Sequence, residues 1–200
     1  MKRINLLIFV ILSIFSTKAF ALIEVDITRG NLNPLPIAIS SLSSNDQTKT
    51  ELKKKLKIED IGLEISKVIE NNFRQTGLFN PLEKDAFLQK PDIAHLKPRF
   101  EDWSLIKAQA LITGKVSHKD EKLRVEFRLW DVLAGKEMLA LAFTTVPKNW
   151  RRVGHIISDK VYERLTGEKG YFDTRIIYVA EEGPKTQRVK KLAIMDQDGF

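Results

Sequence analysis

Apolar and polar positions change period several times along the chain, and each change marks an element. Ile61, Ile65, Val68, Ile69 and Phe73 recur at three- and four-residue spacing, the period of a helix with one buried face. Glu59 or Asp60 suits the positive N-terminus of this helix, and Gly77 stands where a left-handed C-terminal cap belongs. Trp150, Val153, Ile157, Val161 and Leu165 repeat the pattern, predicting a second long helix over about 149–165 with Arg151, Arg152, Lys160 and Arg164 on its wet side and Gly167 closing it. Between the helices the period falls to two. Residues 110–117, 123–131 and 137–146 predict three strands joined tightly at 118–121 and 134–136. In the middle strand Leu123, Val125, Phe127 and Leu129 alternate with Arg124, Glu126, Arg128 and Trp130, so one face of this meander is buried and the other is wet.

The flanking segments are weaker in pattern. Ile23, Glu24, Val25, Asp26, Ile27 and Thr28 alternate as a half-buried strand, and turn residues at 29–34 break it. Residues 36–42 form a second short strand candidate, and the polar run 43–57 reads as a basic surface loop. A short extended piece at 79–82 ends in proline and leucine, 90–98 is irregular, and Phe100, Trp103, Leu105 and Ile106 suggest a short helix leading into the sheet. The expected fold class is α+β, a mixed sheet with both long helices packed on one face. After Gly170 come two further strands, 174–180 and 191–195, with a turn over 181–187. Two strands cannot bury a core alone, so the chain is expected to stop inside a second, all-β domain.

The first residues change the picture of where the protein works. Met1, Lys2 and Arg3 precede an apolar run from Ile4 to Phe15, and Ala19, Phe20 and Ala21 follow a polar stretch. This is a charged start, a hydrophobic stretch and a small-x-small cleavage site, so export is expected, with Ala19 and Ala21 as the small residues just before the cut and Leu22 as the mature start. The run is shorter than the roughly 20 apolar residues that span a bilayer, so no membrane span is expected in the mature form. Of the net charge of +7, Lys2, Arg3 and Lys18 fall in the leader, and the remainder is only mildly basic. Such a surface favours acidic protein partners, lipid headgroups or anionic wall polymers, and no aromatic interleaving points to nucleic acid.

Candidate chemistry is sparse. The absence of cysteine excludes disulfides, thiolate metal sites, a cysteine nucleophile and a lipidated N-terminal cysteine. His95, His118 and His155 are far apart in sequence and lack a carboxylate at ligand spacing, so they are not expected to hold a metal. Asp196, Gln197, Asp198 and Gly199 resemble the opening of a calcium loop, but a β-turn accounts for them better. Lys53, Lys54, Lys55 and Lys57, like Arg151 and Arg152, read as solvated faces, and Trp103, Trp130 and Trp150 as packing anchors. There is no nucleophile elbow, zincin motif or phosphate loop. The expectation is a protein with neither catalytic residues nor a cofactor; a secreted hydrolase or binding domain for anionic cell-wall material is the alternative.

Two segments carry a resemblance. Residues 73–82 (FRQTGLFNPL) are similar to the segment closing the first long helix of the TolB family, the periplasmic components of the Tol-Pal system, and residues 165–179 (LTGEKGYFDTRIIYV) to its junction between N-terminal domain and β-propeller. Residues 191–199 (KLAIMDQDG) resemble its first propeller blade. The resemblance implies four regions: a signal peptide at 1–21, a partner-binding strand at 22–33, an α+β domain at 34–168, and the first strands of an incomplete β-propeller at 169–200. It further implies a monomeric periplasmic adaptor that maintains outer-membrane integrity and constriction during cell division. The lipoprotein Pal docks on the propeller in this family, and the C-terminal domain of TolA binds the mature N-terminus. Carried over by position, that terminus is Leu22, Ile23, Glu24, Val25, Asp26, Ile27, Thr28, Arg29, Gly30, Asn31, Leu32 and Asn33. A short alternating strand at a free terminus suits addition to a partner's sheet edge.

Overall fold

The computed structural model describes residues 33–200; the leader with Ala19 and Ala21, and the strand expected at 23–28, lie outside the described residues. In chain order the elements are β1 (Leu35–Ile39), β2 (Ser43–Ser44), α1 (Asp46–Leu56), α2 (Ile61–Thr76), β3 (Phe79–Pro81), α3 (Pro91–Ala94), α4 (Phe100–Leu105), β4 (Ala110–Lys119), β5 (Lys122–Asp131), β6 (Lys136–Thr145), α5 (Trp150–Thr166), β7 (Arg175–Glu182) and β8 (Val189–Asp196). Short 3-10 turns stand at Lys84–Ala86 and Pro147–Asn149.

Both long helices start and stop for local reasons. Asp60 accepts the Leu63 N–H at 3.0 Å, satisfying one of the orphan donors at the start of α2, and Gly77 at φ 69° ends it. Gly167 at φ 77° closes α5 in the same way, its N–H reaching the Glu163 carbonyl.

Six strands make one mixed sheet in the order β3-β1-β4-β5-β6, with β2 pairing the far end of β4. β1 runs parallel to β3 and β4, placing Leu35 opposite Phe79 and Ile37 opposite Ala110, whereas β4, β5 and β6 form the expected antiparallel meander. On one face Ile37, Ile39, Ile112, Val125, Phe127 and Leu129 meet Ile65, Ile69 and Phe73 of α2 and Val153, Ile157, Val161 and Leu165 of α5. Each such side chain, fully removed from water, contributes about 1.5–3 kcal/mol. Gly154 lets the two helices approach: a Cβ there would lie 2.9 Å from Val68 Cγ1.

Two expectations need correction. The run 43–57 is no loop, since it holds β2 and the eleven-residue helix α1. Asn45 caps that helix by accepting the Thr48 N–H at 2.9 Å, and Leu52 carries its buried stripe into the main core. Its stop was hidden because Lys57, at φ 61°, takes the left-handed position usually held by glycine. For the same reason two helices on one face is too few. A third joins them, and the opposite face is partly covered as well, where Trp103, Ala94 and Ala108 pack on Ala38, Leu111 and Val132.

β7 and β8 pair antiparallel as a separate two-stranded sheet, Arg175 opposite Asp196 and Glu182 opposite Val189. Ile177, Val179, Leu192 and Ile194 on this hairpin are all exposed.

Candidate functional site at the junction of helices and hairpin

The richest polar arrangement among the described residues lies where α2 and α5 meet the hairpin. It begins with the connection between α5 and β7. Asp159 accepts the N–H groups of Phe172 at 2.6 Å and Asp173 at 3.1 Å, and Gly170 passes so close that a Cβ would sit 2.4 Å from Asp159 Cα. Phe172 is thereby driven into the core edge-on to Phe73 and Tyr162. Arg152 adds a forked ion pair to Asp173 at 3.0 Å.

Past this anchor the end of β8 and the turn after it face the helices. Arg151 Nη2 donates to Asp198 Oδ2 at 2.6 Å, and the guanidinium carbon lies 3.8 Å from the centre of the Phe200 ring. Gln197 Nε2 donates to Asn72 Oδ1 at 2.9 Å. Asn72 Nδ2 donates to Ser158 Oγ at 2.8 Å and lies 3.1 Å from His155 Nδ1. The other ring nitrogen, His155 Nε2, faces Asp196 Oδ2 at 3.8 Å and Asp198 Oδ2 at 3.9 Å. Asn72, His155 and Ser158 are essentially fully buried.

The proton positions follow from the network. The single hydrogen of Ser158 Oγ goes to the Gly154 carbonyl at 3.0 Å, so this hydroxyl can only accept from Asn72. The Asn72 atom nearest it is therefore the amide nitrogen, and the same nitrogen confronts His155 Nδ1, which must accept. The imidazole proton thus sits on Nε2, aimed at the two carboxylates. Burial pushes the His155 pKa down, Asp198 and Asp196 oppose that, and Arg151 adds to it.

His155, Asp196 and Asp198 come within 4.8 Å of one another, a spacing a cation could bridge. The chemistry argues otherwise: the nitrogen that faces the carboxylates carries a hydrogen rather than a lone pair, and Arg151 already supplies a cation to Asp198. Separation in sequence concealed this cluster, since His155 lies some forty residues before the two aspartates.

The remaining sequence candidates stay apart. His95 stands at the end of α3, while His118 on β4 pairs with Glu51 on α1 at 2.7 Å and holds that carboxyl below its usual range. Asp196 to Gly199 form a turn, closed by the Gly199 N–H on the Asp196 carbonyl at 3.0 Å. Lys53 pairs with Glu59 and Lys55 with Glu121, as on a solvated face. Trp103 is buried and donates to Gln89; Trp130 donates to Thr113. Of the segment 22–33 only Asn33 is described, exposed just ahead of β1. A shallow groove of about 420 Å³ on the outer sheet face, bordered by His95, Lys115, Arg128 and Leu141, brings no comparable set of groups together.

No described helix is long and apolar enough to cross a membrane. The chain is 78% identical over 193 residues to the Tol-Pal system protein TolB of Pelagibacter ubique (strain HTCC1062), a match covering 96% of this chain and 43% of that protein. It therefore spans less than half the length of that relative. The crystal structure of TolB from Acinetobacter baumannii superposes with a TM-score of 0.66 at 21% identity, covering 89% of this chain and 40% of that one, which shows a shared fold. The profile described as TolB amino-terminal domain matches residues 23–138, and with the identity to the Pelagibacter protein it establishes that this chain belongs to the TolB family and carries its amino-terminal domain.

Proposed function

We propose that the chain is the amino-terminal portion of a periplasmic, non-catalytic adaptor of the Tol-Pal system. In this reading residues 22–33 pair with the C-terminal domain of TolA, and a β-propeller beginning at β7 and β8 meets Pal. The adaptor would thereby couple an inner-membrane complex to an outer-membrane lipoprotein, maintaining envelope integrity and constriction at division. The observation that carries the reading is the 78% identity to a Tol-Pal system protein over nearly the whole chain.

Physical features support the details. Asn33 leads directly into β1, an interior strand whose Leu35 N–H is held by the Leu78 carbonyl at 2.9 Å, so a pull on the leading segment would be delivered into the middle of the sheet. Apolar residues on both faces of the hairpin, Ile177 and Leu192 on one and Ile176 and Tyr178 on the other, call for further strands packed around it, as in a propeller. The test is capture of a purified TolA C-terminal domain by the chain starting at Leu22 and by one starting at Pro34. Capture by the longer form alone is expected; equal capture by both, or turnover of cell-wall fragments by either, would overturn the proposal.

A further inference from the structure

We propose that the chain Gln197–Asn72–His155 is a proton-sensitive latch: Nδ1 of His155 must stay unprotonated for the β7–β8 hairpin to remain hooked onto the helix pair, and a proton taken up there releases it. The inference rests on the junction geometry and is independent of the Tol-Pal reading.

The Asn72 amide is committed in three directions. Its nitrogen serves Ser158 and His155, and its oxygen receives Gln197 from the turn beyond β8. A second proton on His155 must go to Nδ1, where it would point at the Asn72 amide hydrogens, donor against donor. Relief requires the amide to turn over. That breaks the bond to Ser158, whose hydrogen is held by Gly154, and the bond from Gln197, the hairpin's hold on α2.

Charge acts in both directions, and every group facing the ring counts. Asp198 and Asp196 on the hairpin and Asp173 on the connecting segment favour imidazolium, whereas Arg151, on the helix of His155 itself, opposes it. Arg175 on β7 lies 3.9 Å from Asp196 and weakens that carboxylate's pull. Desolvation outweighs the carboxylates, and the folded-state pKa falls below the ordinary 6.5. The sign follows: the opened junction binds the proton more readily than the closed one. The closed form keeps its full advantage above pH 6.5 and loses it as the pH falls toward the folded-state value.

The test uses hydrogen-exchange protection factors of β7–β8 amides in the full chain between pH 7.5 and 5, with β4–β5 amides as internal reference. Hairpin protection is expected to drop by up to about tenfold per pH unit below 6.5, the slope of one linked proton, and the β4–β5 amides, which open at higher free energy, to fall no more steeply. His155→Gln removes the dependence, and Asn72→Asp, which can accept from a protonated Nδ1, abolishes or reverses it. A flat wild-type profile, or an equal fall in His155→Gln, overturns the latch. Should His155→Gln fail to fold, the imidazole ¹⁵N shifts of the wild type decide: an Nε2-protonated ring at pH 7.5 upholds the latch and an Nδ1-protonated ring refutes it.

Discussion

Asp159 on α5 binds the backbone of Phe172, thirteen residues on, with the carboxylate accepting that N–H at 2.6 Å and the next one at 3.1 Å. The aspartate thus acts as a peg that fixes where the chain leaves the helix and how it enters the hairpin. Asp159→Ala leaves two N–H groups without their acceptor and frees the segment that carries Phe172 into the core. A loss of about 2 kcal/mol is expected, since hydrogen bonds to a charged group contribute about 1.5–3 kcal/mol each and water recovers part of it. Urea unfolding measures the loss; a change under 0.5 kcal/mol would show that Phe172 packing alone holds the connection.

The approach of α2 to α5 depends on a missing methyl group. Gly154→Ala places a Cβ 2.9 Å from Val68 Cγ1 and 3.0 Å from Val68 Cβ. Overpacking of this kind costs about 1–3 kcal/mol. Val68→Ala removes the Cγ1 contact and leaves the one to Cβ, so the double variant is expected to be more stable than the two single losses summed, with part of the strain kept. Thermal denaturation of the four-protein cycle tests the coupling, and strict additivity would mean that the helices part without resistance.

These contacts mark the boundary of what pattern alone could reveal. The long helices were legible because Ile61, Ile65, Ile69 and Phe73, like Val153, Ile157 and Leu165, report burial every three or four residues, and Gly77 and Gly167 announce the ends. The helix α1 escaped because its buried stripe is narrow, chiefly Thr48 and Leu52 amid lysines. β1, β3 and β4 could be proposed as strands, but their parallel pairing depends on tertiary packing that periodicity does not encode. The cluster around His155 was illegible for a related reason: its members lie on three elements, and only the fold brings Asn72 and Gln197 together across 125 positions of sequence.

A second histidine gives a pH effect of its own at the other end of the sheet. His118 holds the Glu51 carboxyl below its ordinary value of 4.5 chiefly by a hydrogen bond, with Gln47 assisting. A carboxyl depressed in the folded state contributes stability that is present above 4.5 and is lost as the pH falls through its folded value. His118→Leu, which removes the donor, should return the Glu51 titration, followed by side-chain carbonyl ¹³C shifts, toward 4.5. An unmoved midpoint would assign the depression to Gln47 and nearby lysines instead.

Two adjacent arginines should differ sharply. Arg152 pairs with Asp173 at the surface, its side chain 57% exposed, and such pairs contribute about 0–1 kcal/mol because water and salt screen them. Arg151 is 17% exposed and Asp198 only 6%, so their contact at 2.6 Å operates out of water. Removing Arg151 leaves a buried carboxylate beside Asp196 with no cation among the described residues at hydrogen-bond distance, a change that costs about 3–5 kcal/mol in comparable settings. Arg151→Leu is therefore expected to detach the hairpin or lower the midpoint of denaturation substantially, whereas Arg152→Leu changes little. Arg151→Lys should recover only part of the loss, since a lysine cannot both reach Asp198 and lay a flat cation over Phe200. Adding Asp198→Asn to Arg151→Leu removes the stranded charge and should restore much of the stability. If the double variant is no better than Arg151→Leu, the arginine acts through its contact with the Phe200 ring rather than through the ion pair.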